Sequence, residues 1–339
     1  MPIREQVSLK AFNTFGIDAR AQRLFELATL DELPQALAAL RQAPPALVLG
    51  GGSNLLFTGD PAGTVLRVAL RGLRVVQADA DEALVEAAAG EAWDPFVAWT
   101  LAQGLSGLEN LALIPGSVGA SPIQNIGAYG VEMAERFESL QAVSLADGRP
   151  HRFDAADCGF AYRDSTFKRA GRGAWLVLSV RFRLSTRWQP RLDYGDIRAE
   201  LRAAGVTAPT PVDVARAVSA IRRRRLPDPA RLGNAGSFFK NPLVPAALAA
   251  RLKESEPDLP LYPLAAADGA VKLSAAWLID RCGWKGHRDG DAGVSDAHAL
   301  VLVNHGSASG AQVLALAQRI QDSVQQRFGV RLEPEPVIV

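Results

Sequence analysis

The segment IPGSVGASPIQNIGAYG, residues 114–130, constrains this chain more than any other. It is dense in Gly, Ala and Ser, holds two prolines, and shows neither the 3.6-residue period of a helix nor the alternation of a strand. Long irregular loops inside compact domains are usually functional. Small side chains let a ligand lie against the backbone, and Gln124 and Asn125 can hydrogen-bond a heterocycle edge. The alternative is a packed surface loop. A second glycine run, GGGSN at 50–54, follows an apolar strand-like stretch. Backbone N–H groups freed there form a nest suited to a pyrophosphate; the alternative is a tight turn without ligand. The run is not the dinucleotide fingerprint, because G-x-G-x-x-G read from Gly50 fails at Leu55. A nicotinamide Rossmann domain is therefore disfavoured. Two glycine-rich segments together favour a long two-part ligand held between domains.

Around these segments the pattern alternates. LFELA (24–28) and TVLRVAL (64–70) read as strands, DELPQALAALRQ (31–42) as an amphipathic helix, and PALVLGGGSNLLF (45–57) as a buried strand followed by a glycine turn. Short strands follow in LRVVQAD, ALVEAAAG, ESLQAVSL and GAWLVLSVRFRL, with a helix over 92–105. TPVDVARAVSAIRRRR (210–225) predicts a helix: Thr210 caps it, Pro211 takes its first position, Asp213 completes a capping box, and the prolines of LPDP stop it. Farther on, LVPAALAARLK and VKLSAAWLIDRC read as helices, HALVLVN (298–304) as a strand, and GAQVLALAQRIQDSVQQRFG (310–329) as a helix closed by Gly329. At 339 residues the chain exceeds one ordinary core.

Composition excludes some functions. A net charge of +1 carries no long-range field for nucleic acid or a membrane surface. There is no membrane-length apolar run and no signal-type apolar core at the N-terminus. Two cysteines do not make a disulfide framework. A cytoplasmic enzyme or binding protein is expected, with no nucleic-acid or membrane partner.

GNAGSFFKNP (233–242) places Ser237 at a glycine-flanked bend. A nucleophilic serine needs a base, usually histidine, yet none of His151, His287, His298 and His305 stands near it in sequence. Arg163, in FAYRDSTFK (160–168), reads either as a solvated salt-bridge partner or as a bidentate carboxylate binder. RRRR (222–225) reads as a solvated helix end, its cations suited to the helix C-terminus. HRDGDAGVSDAH (287–298) matches no zinc or EF-hand spacing and reads as a polar loop, so no metal is expected. On residue chemistry alone Glu333 and Glu335 of the C-terminal RLEPEPVIV receive no function.

AFNTFGID (11–18), LGGGSNLLF (49–57), GLENLALIPGSVGASPIQNIGAYG (107–130), AYRDSTFK (161–168), LPDP with GNAGSFFKNP (226–242) and LEPE (332–335) succeed one another. In these motifs and their order, spanning nearly the whole chain, it resembles the UDP-N-acetylenolpyruvoylglucosamine reductases, flavoenzymes that complete UDP-N-acetylmuramate for peptidoglycan. LDYGDI (192–197) resembles the longer subclass, which has an extra loop bearing a substrate-binding tyrosine.

The resemblance implies an α+β fold of vanillyl-alcohol-oxidase type: two FAD-binding subdomains and a third, α/β, substrate domain. It divides the chain at 1–70 (joined by the tail 330–339), 71–225 with the inserted loop near 185–210, and 226–329. It implies a monomer with non-covalent FAD, NADPH as co-substrate and the enolpyruvyl ether of UDP-N-acetylglucosamine as substrate. By matching position, FAD would meet Gly50, Gly51, Gly52, Ser53, Asn54, Ile114, Pro115, Gly116, Ser117, Gly119, Ala120, Gln124, Asn125, Ile126 and Gly127. Arg163, Ser237 and Glu335 match the catalytic residues: carboxylate-binding arginine, proton donor to C2 and glutamate. Tyr129, Tyr194, Arg225, Asn241, Lys285 and His298 match substrate contacts. Two departures stand out: Arg225 replaces the family's usual lysine, and Pro336 follows Glu335 where an aliphatic residue is usual. The other readings are a flavin oxidase of the same superfold acting on an alcohol, and a nucleic-acid binder using residues 222–225.

Overall fold

The computed structural model describes residues 3–44, 46–263 and 269–339. They form two compact units that are not contiguous in sequence. One comprises the described residues up to Ser8, Arg20–Gly52 and Asp60–Arg223; the other comprises Leu9–Ala19, Ser53–Gly59 and the described residues of Arg224–Val339.

Among the described residues the first unit holds two main sheets, of four and five strands, besides one short two-stranded pair. In the smaller, the strands run in the order Arg4–Ser8, Arg20–Leu27, Thr64–Val68, Ala46–Leu49. The first pair is antiparallel and the other two pairs are parallel. The amphipathic helix Leu33–Gln42 buries Ala36, Leu37, Ala39 and Leu40. The larger sheet is antiparallel, in the order Pro150–Asp154, Phe137–Ser144, Trp175–Ser185, Glu82–Ala88, Leu73–Ala78. Strand Glu82–Ala88 alternates between half-buried and buried positions, as a strand with one core face must. Beneath it, Trp93 and Phe96 of helix Trp93–Ala102 meet Phe182, with ring centroids 5.2 to 5.9 Å apart. Helix Pro211–Arg225 begins as its spacing predicts: Asp213 accepts from the N–H and hydroxyl of Thr210 at 3.0 and 2.6 Å.

The second unit is also α+β. Strands Gly233–Ser237, Val301–Asn304, Ala292–Val294 and Arg288–Asp289 form one antiparallel sheet. Helix Gly310–Phe328 packs on strands Ala292–Val294 and Val301–Asn304, buries Val313, Leu316, Ile320, Val324 and Phe328, and ends at Gly329 with φ +67°. Gly310 could be no other residue, because a Cβ there would lie 1.6 Å from the Phe57 carbonyl oxygen. Two helical readings are corrected. Leu243–Pro245 and Ala270–Leu273 are paired strands, and the helices start only after them, at Ala246 and Ala275. Pro245 cannot extend a helix upstream of it, and Ser274 caps the second helix by accepting from the Trp277 N–H at 3.3 Å.

Candidate active site

The first unit brings the two glycine-rich segments together. A Cβ on Gly51 would lie 2.9 Å from the Gly116 Cα, and one on Gly50 would lie 2.5 Å from the Ser117 Oγ. The two backbones therefore touch only because neither residue has a side chain. The wall they make is mostly main chain, with Gly50 and Gly116 half-buried and Gly51, Pro115 and Ala120 exposed. Gly119 is equally committed: its Cβ would meet that of Ala89 at 2.5 Å. A wall of backbone amides suits a flat or diphosphate-bearing ligand, so these residues fit FAD. Gln124, Ile114, Ile126 and Gly127 continue this surface, all half-buried.

The loop is more ordered than its sequence implies. Val118–Ala120 forms a 3-10 turn, and Gly127–Ala128 pairs with Val131–Glu132. Asn125 is 1% exposed, and its amide works within the protein. It donates to Glu132 at 2.7 Å and to the Ala161 carbonyl at 3.2 Å, and accepts from the Ala134 N–H at 3.1 Å. The side chain read from sequence as a heterocycle contact instead joins this loop to residues 160–168. A backbone φ of +46° goes with that role, since asparagine tolerates the left-handed region better than most residues.

Arg163 is placed by the same join. It sits at φ +54° in the tight turn Ala161–Asp164, whose ends exchange hydrogen bonds at 3.0 and 3.1 Å. Its guanidinium donates to the Gly127 carbonyl. A Cβ on Gly127 would lie 2.9 Å from that guanidinium, so the glycine makes room for the arginine. Ser165 adds a second tie, its hydroxyl donating to the Ile123 carbonyl at 2.6 Å. A strained backbone fixed by several bonds is characteristic of functional positions.

Tyr129, also left-handed at φ +50°, meets Tyr194 edge-on at 6.4 Å between ring centroids. Tyr194 is 54% exposed. The loop that carries it is docked by residues the sequence reading passed over. Buried Asn110 donates to the carbonyls of Tyr129 and Arg191, each at 2.9 Å, and the Trp188 indole donates to Glu109 at 2.7 Å. Their signal lay in GLENLALIPGSVGA, where two polar residues interrupt an apolar run.

One reading is overturned. Arg222 is not part of a solvated helix end: it is half-buried, and its Nε donates to the Leu113 carbonyl at 3.2 Å. Burial pushes its guanidinium below the ordinary value, Tyr129 and Asp94 oppose that shift, and Arg163 reinforces it. Only Arg223, Arg224 and Arg225 of the run are exposed.

In the second unit, Ser237 ends a strand and pairs with Val301. Gly236 before it has φ +71°, the bend anticipated from the sequence. Among the described residues its hydroxyl has no hydrogen-bond partner, histidine or other. The C-terminal segment runs beside it: Glu335 N–H donates to the Phe238 carbonyl at 2.8 Å, Lys240 N–H to the Glu333 carbonyl at 3.0 Å, and Phe239 bridges Pro334. Glu333 is exposed and faces Lys240 at 3.4 Å, whereas Glu335 is half-buried. Asn54 brackets that glutamate. Its amide donates to the Glu335 carbonyl at 3.4 Å, and its own carbonyl accepts from Val337 N–H at 3.0 Å. Ser53 is half-buried beside it, and Gly52 closes the glycine turn at φ +62°.

His298 lies within the same unit as two cations. Its Nδ1 accepts from Leu300 N–H at 3.2 Å, so the neutral ring carries its proton on Nε2. Burial first, then Arg225 and Lys285, lowers its pKa. Arg225 and Lys285 are exposed, and three basic groups near one another suit a diphosphate. Asn241 is half-buried, its Oδ1 accepting from Ala275 N–H at 3.0 Å. In the 287–298 loop two of the three acids are structural: Asp289 pairs with Arg319 at 2.6 Å and Asp291 with Arg288 at 3.1 Å. Both cysteines are free, and burial pushes the Cys158 thiol up to about 12, which makes it inert.

The α+β fold with its glycine-lined wall is that of an FAD-binding oxidoreductase, and residues 21–154 match the model of the FAD binding domain. Residues 228–339 match the UDP-N-acetylenolpyruvoylglucosamine reductase C-terminal domain. The reductase of that name from Pseudomonas aeruginosa is 57% identical over 337 residues, covering 99% of this chain and 98% of that protein. The one from Chromobacterium violaceum is 56% identical over 341 residues, covering 100% and 99%. The crystal structure of UDP-N-acetylenolpyruvylglucosamine reductase from Thermus caldophilus superposes with a TM-score of 0.68 at 28% identity, covering 99% of both chains. This chain belongs to the UDP-N-acetylenolpyruvoylglucosamine reductase family. No helix among the described residues is long and apolar enough to cross a membrane.

Proposed function

We propose that the protein reduces the enolpyruvyl ether of UDP-N-acetylglucosamine to UDP-N-acetylmuramate in the cytoplasm, with NADPH as electron source and FAD held without a covalent bond. Residues 50–54 and 114–127 would hold FAD, whose chemistry when bound would be the relay of hydride from NADPH to C3 of the substrate. The observation that carries the reading is Ser237: a hydroxyl with no base among the described residues, on a strand flanked by the Glu335 segment. Such a serine is a poor nucleophile and a feeble acid. It suits a strongly basic acceptor, and substrate C2 becomes one when hydride arrives at C3.

Each residue then has a task. Arg163 binds the substrate carboxylate, into which negative charge at C2 spreads, and a preformed cation lowers the energy of that charge. Ser237 gives its proton to C2. Glu335, holding or sharing a proton, supports the enolate. Arg225, Lys285 and the neutral His298 hold the diphosphate, Asn241 and Tyr194 contact the UDP-sugar, and Tyr129 lies near substrate and flavin. Glycines 50–52 and residues 114–127 cradle FAD, with Ser53 and Asn54. Neither glycine-rich segment contains a histidine or cysteine, which favours non-covalent FAD.

Anaerobic reduction by NADPH followed by addition of the enolpyruvyl substrate tests this directly. Flavin absorbance should bleach, then return only with that substrate. Reoxidation by simple alcohol-derived ketones instead would replace this reading with that of an alcohol oxidase.

A further inference from the structure

Leu113 immediately precedes the segment Ile114–Gly127 and has φ +60°, a conformation that β-carbon-bearing residues other than Asn and Asp rarely adopt. Both of its backbone polar groups are held by charged side chains from different helices. Its N–H donates to Asp94 Oδ1 at 2.5 Å, from the first turn of helix Trp93–Ala102. Its carbonyl accepts from Arg222 Nε at 3.2 Å, from the last turn of helix Pro211–Arg225. The same first turn also grips the chain on either side: the Trp93 indole donates to the Leu111 carbonyl at 2.9 Å, and the Trp93 N–H to the Gly116 carbonyl at 3.0 Å. Hydrogen bonds to ionised groups are the strong ones, and two of them converge on one strained residue.

We propose that Asp94 and Arg222 are positioning residues that clamp Leu113 in the left-handed conformation and thereby set the path of Ile114–Gly127 for FAD. The proposal rests on the reading of that segment as the FAD cradle. Neither side chain needs to touch the cofactor. Without the clamp, Leu113 relaxes to negative φ, the chain leaves it in another direction, and Gly116 no longer lies against Gly51. The ordinary cost of a left-handed leucine corresponds to a five- to thirtyfold shift in population, about the loss of FAD affinity expected.

Glycine decides the matter. Gly adopts positive φ without strain, so a cradle that fails for want of the clamp should recover when Leu113 becomes Gly. FAD affinity of the flavin-stripped full-length protein is measured by fluorescence quenching, alongside amide exchange over residues 113–127. Asp94→Ala should weaken FAD about tenfold and speed exchange. Asp94→Asn, which keeps an acceptor oxygen but loses the charge, should fall between wild type and Asp94→Ala. Leu113→Gly in the Asp94→Ala background should restore affinity while lowering the melting temperature further. A residue with only a general structural role would show both losses adding. Unchanged affinity and exchange in Asp94→Ala, or a double variant worse than the single in FAD binding, overturns the proposal. If Asp94→Ala does not fold, Asp94→Asn and Leu113→Gly with wild-type exchange decide it: a fast-exchanging Leu113 amide overturns the clamp. If wild type itself binds no FAD, the cradle reading fails, and exchange over 113–127 in the variants still judges the clamp.

Discussion

The N–H of Glu335 donates to the carbonyl of Phe238 at 2.8 Å, which seats the C-terminal segment beside the strand that ends in Ser237. Two residues nearly a hundred positions apart thus share one edge of the second unit. Under the proposed chemistry both act only after hydride transfer. Ser237→Ala should leave flavin reduction by NADPH intact and slow reoxidation by substrate by about 10²–10⁴-fold. Stopped-flow absorbance separates the half-reactions; equal losses in both would remove Ser237 from the proton-donor role. Glu335→Gln should alter the pH dependence of the reoxidation step, and an unchanged profile would argue against a proton held or shared there.

Gly51 faces Gly116 with no room for a β-carbon. Gly51→Ala should force the two glycine-rich segments apart, at a cost of about 1–3 kcal/mol. The stripped protein should bind FAD more weakly, with a smaller change in melting temperature, because Gly51 itself is exposed. Titration with FAD followed by fluorescence checks this.

Asn110 is buried and donates two hydrogen bonds, to the carbonyls of Tyr129 and Arg191. Asn110→Ala leaves both carbonyls without that donor and should destabilise the protein by about 1–3 kcal/mol. It should also loosen the loop carrying Tyr194. Substrate KM should rise while NADPH reduction of the flavin is retained, which steady-state and half-reaction kinetics together resolve.

His298 supplies a pH dependence. Burial and the nearby Arg225 and Lys285 hold its pKa below the ordinary 6.5. The folded state therefore favours the neutral ring. Its contribution to stability is fully present above pH 6.5 and is lost as pH falls through the depressed folded value. His298→Gln should flatten the acid side of the stability curve, measured by urea unfolding between about pH 7.5 and 5. An anion bound between the two cations should raise the His298 pKa, so binding of UDP should be accompanied by proton uptake.

The long helices were legible because each carries its own signals. Thr210 and Asp213 mark one start, and Gly329 marks one end with a left-handed residue that only the backbone of glycine takes easily. The strands Leu243–Pro245 and Ala270–Leu273 were not, because each abuts a helical sequence and only cross-strand pairing identifies it. The glycine segments announced a ligand wall, but their mutual contact is a tertiary fact. The deepest miss is Arg222. Its neighbours Arg223, Arg224 and Arg225 are chemically near-identical and exposed. Which of four arginines turns inward depends on helix phase and on where the Leu113 carbonyl waits, and neither is written in the run itself. Asn125 illustrates the same limit: its residue type fits a ligand, but Glu132, Ala134 and Ala161 had claimed it.

Strand Val337–Ile338 lies parallel to Leu55–Leu56, and Thr58 N–H donates to the Val339 carbonyl at 2.7 Å. The second unit is therefore stitched from chain separated by 281 positions at the Asn54–Glu335 contact. Loop closure over such distances is slow, and contacts of this kind form late. On a ribosome the 53–59 segment must wait for this pairing until residues 337–339 have been made. A fragment cut at residue 224 would lack this partner on one side and strand it on the other, so neither half should fold cleanly unless the two are supplied together.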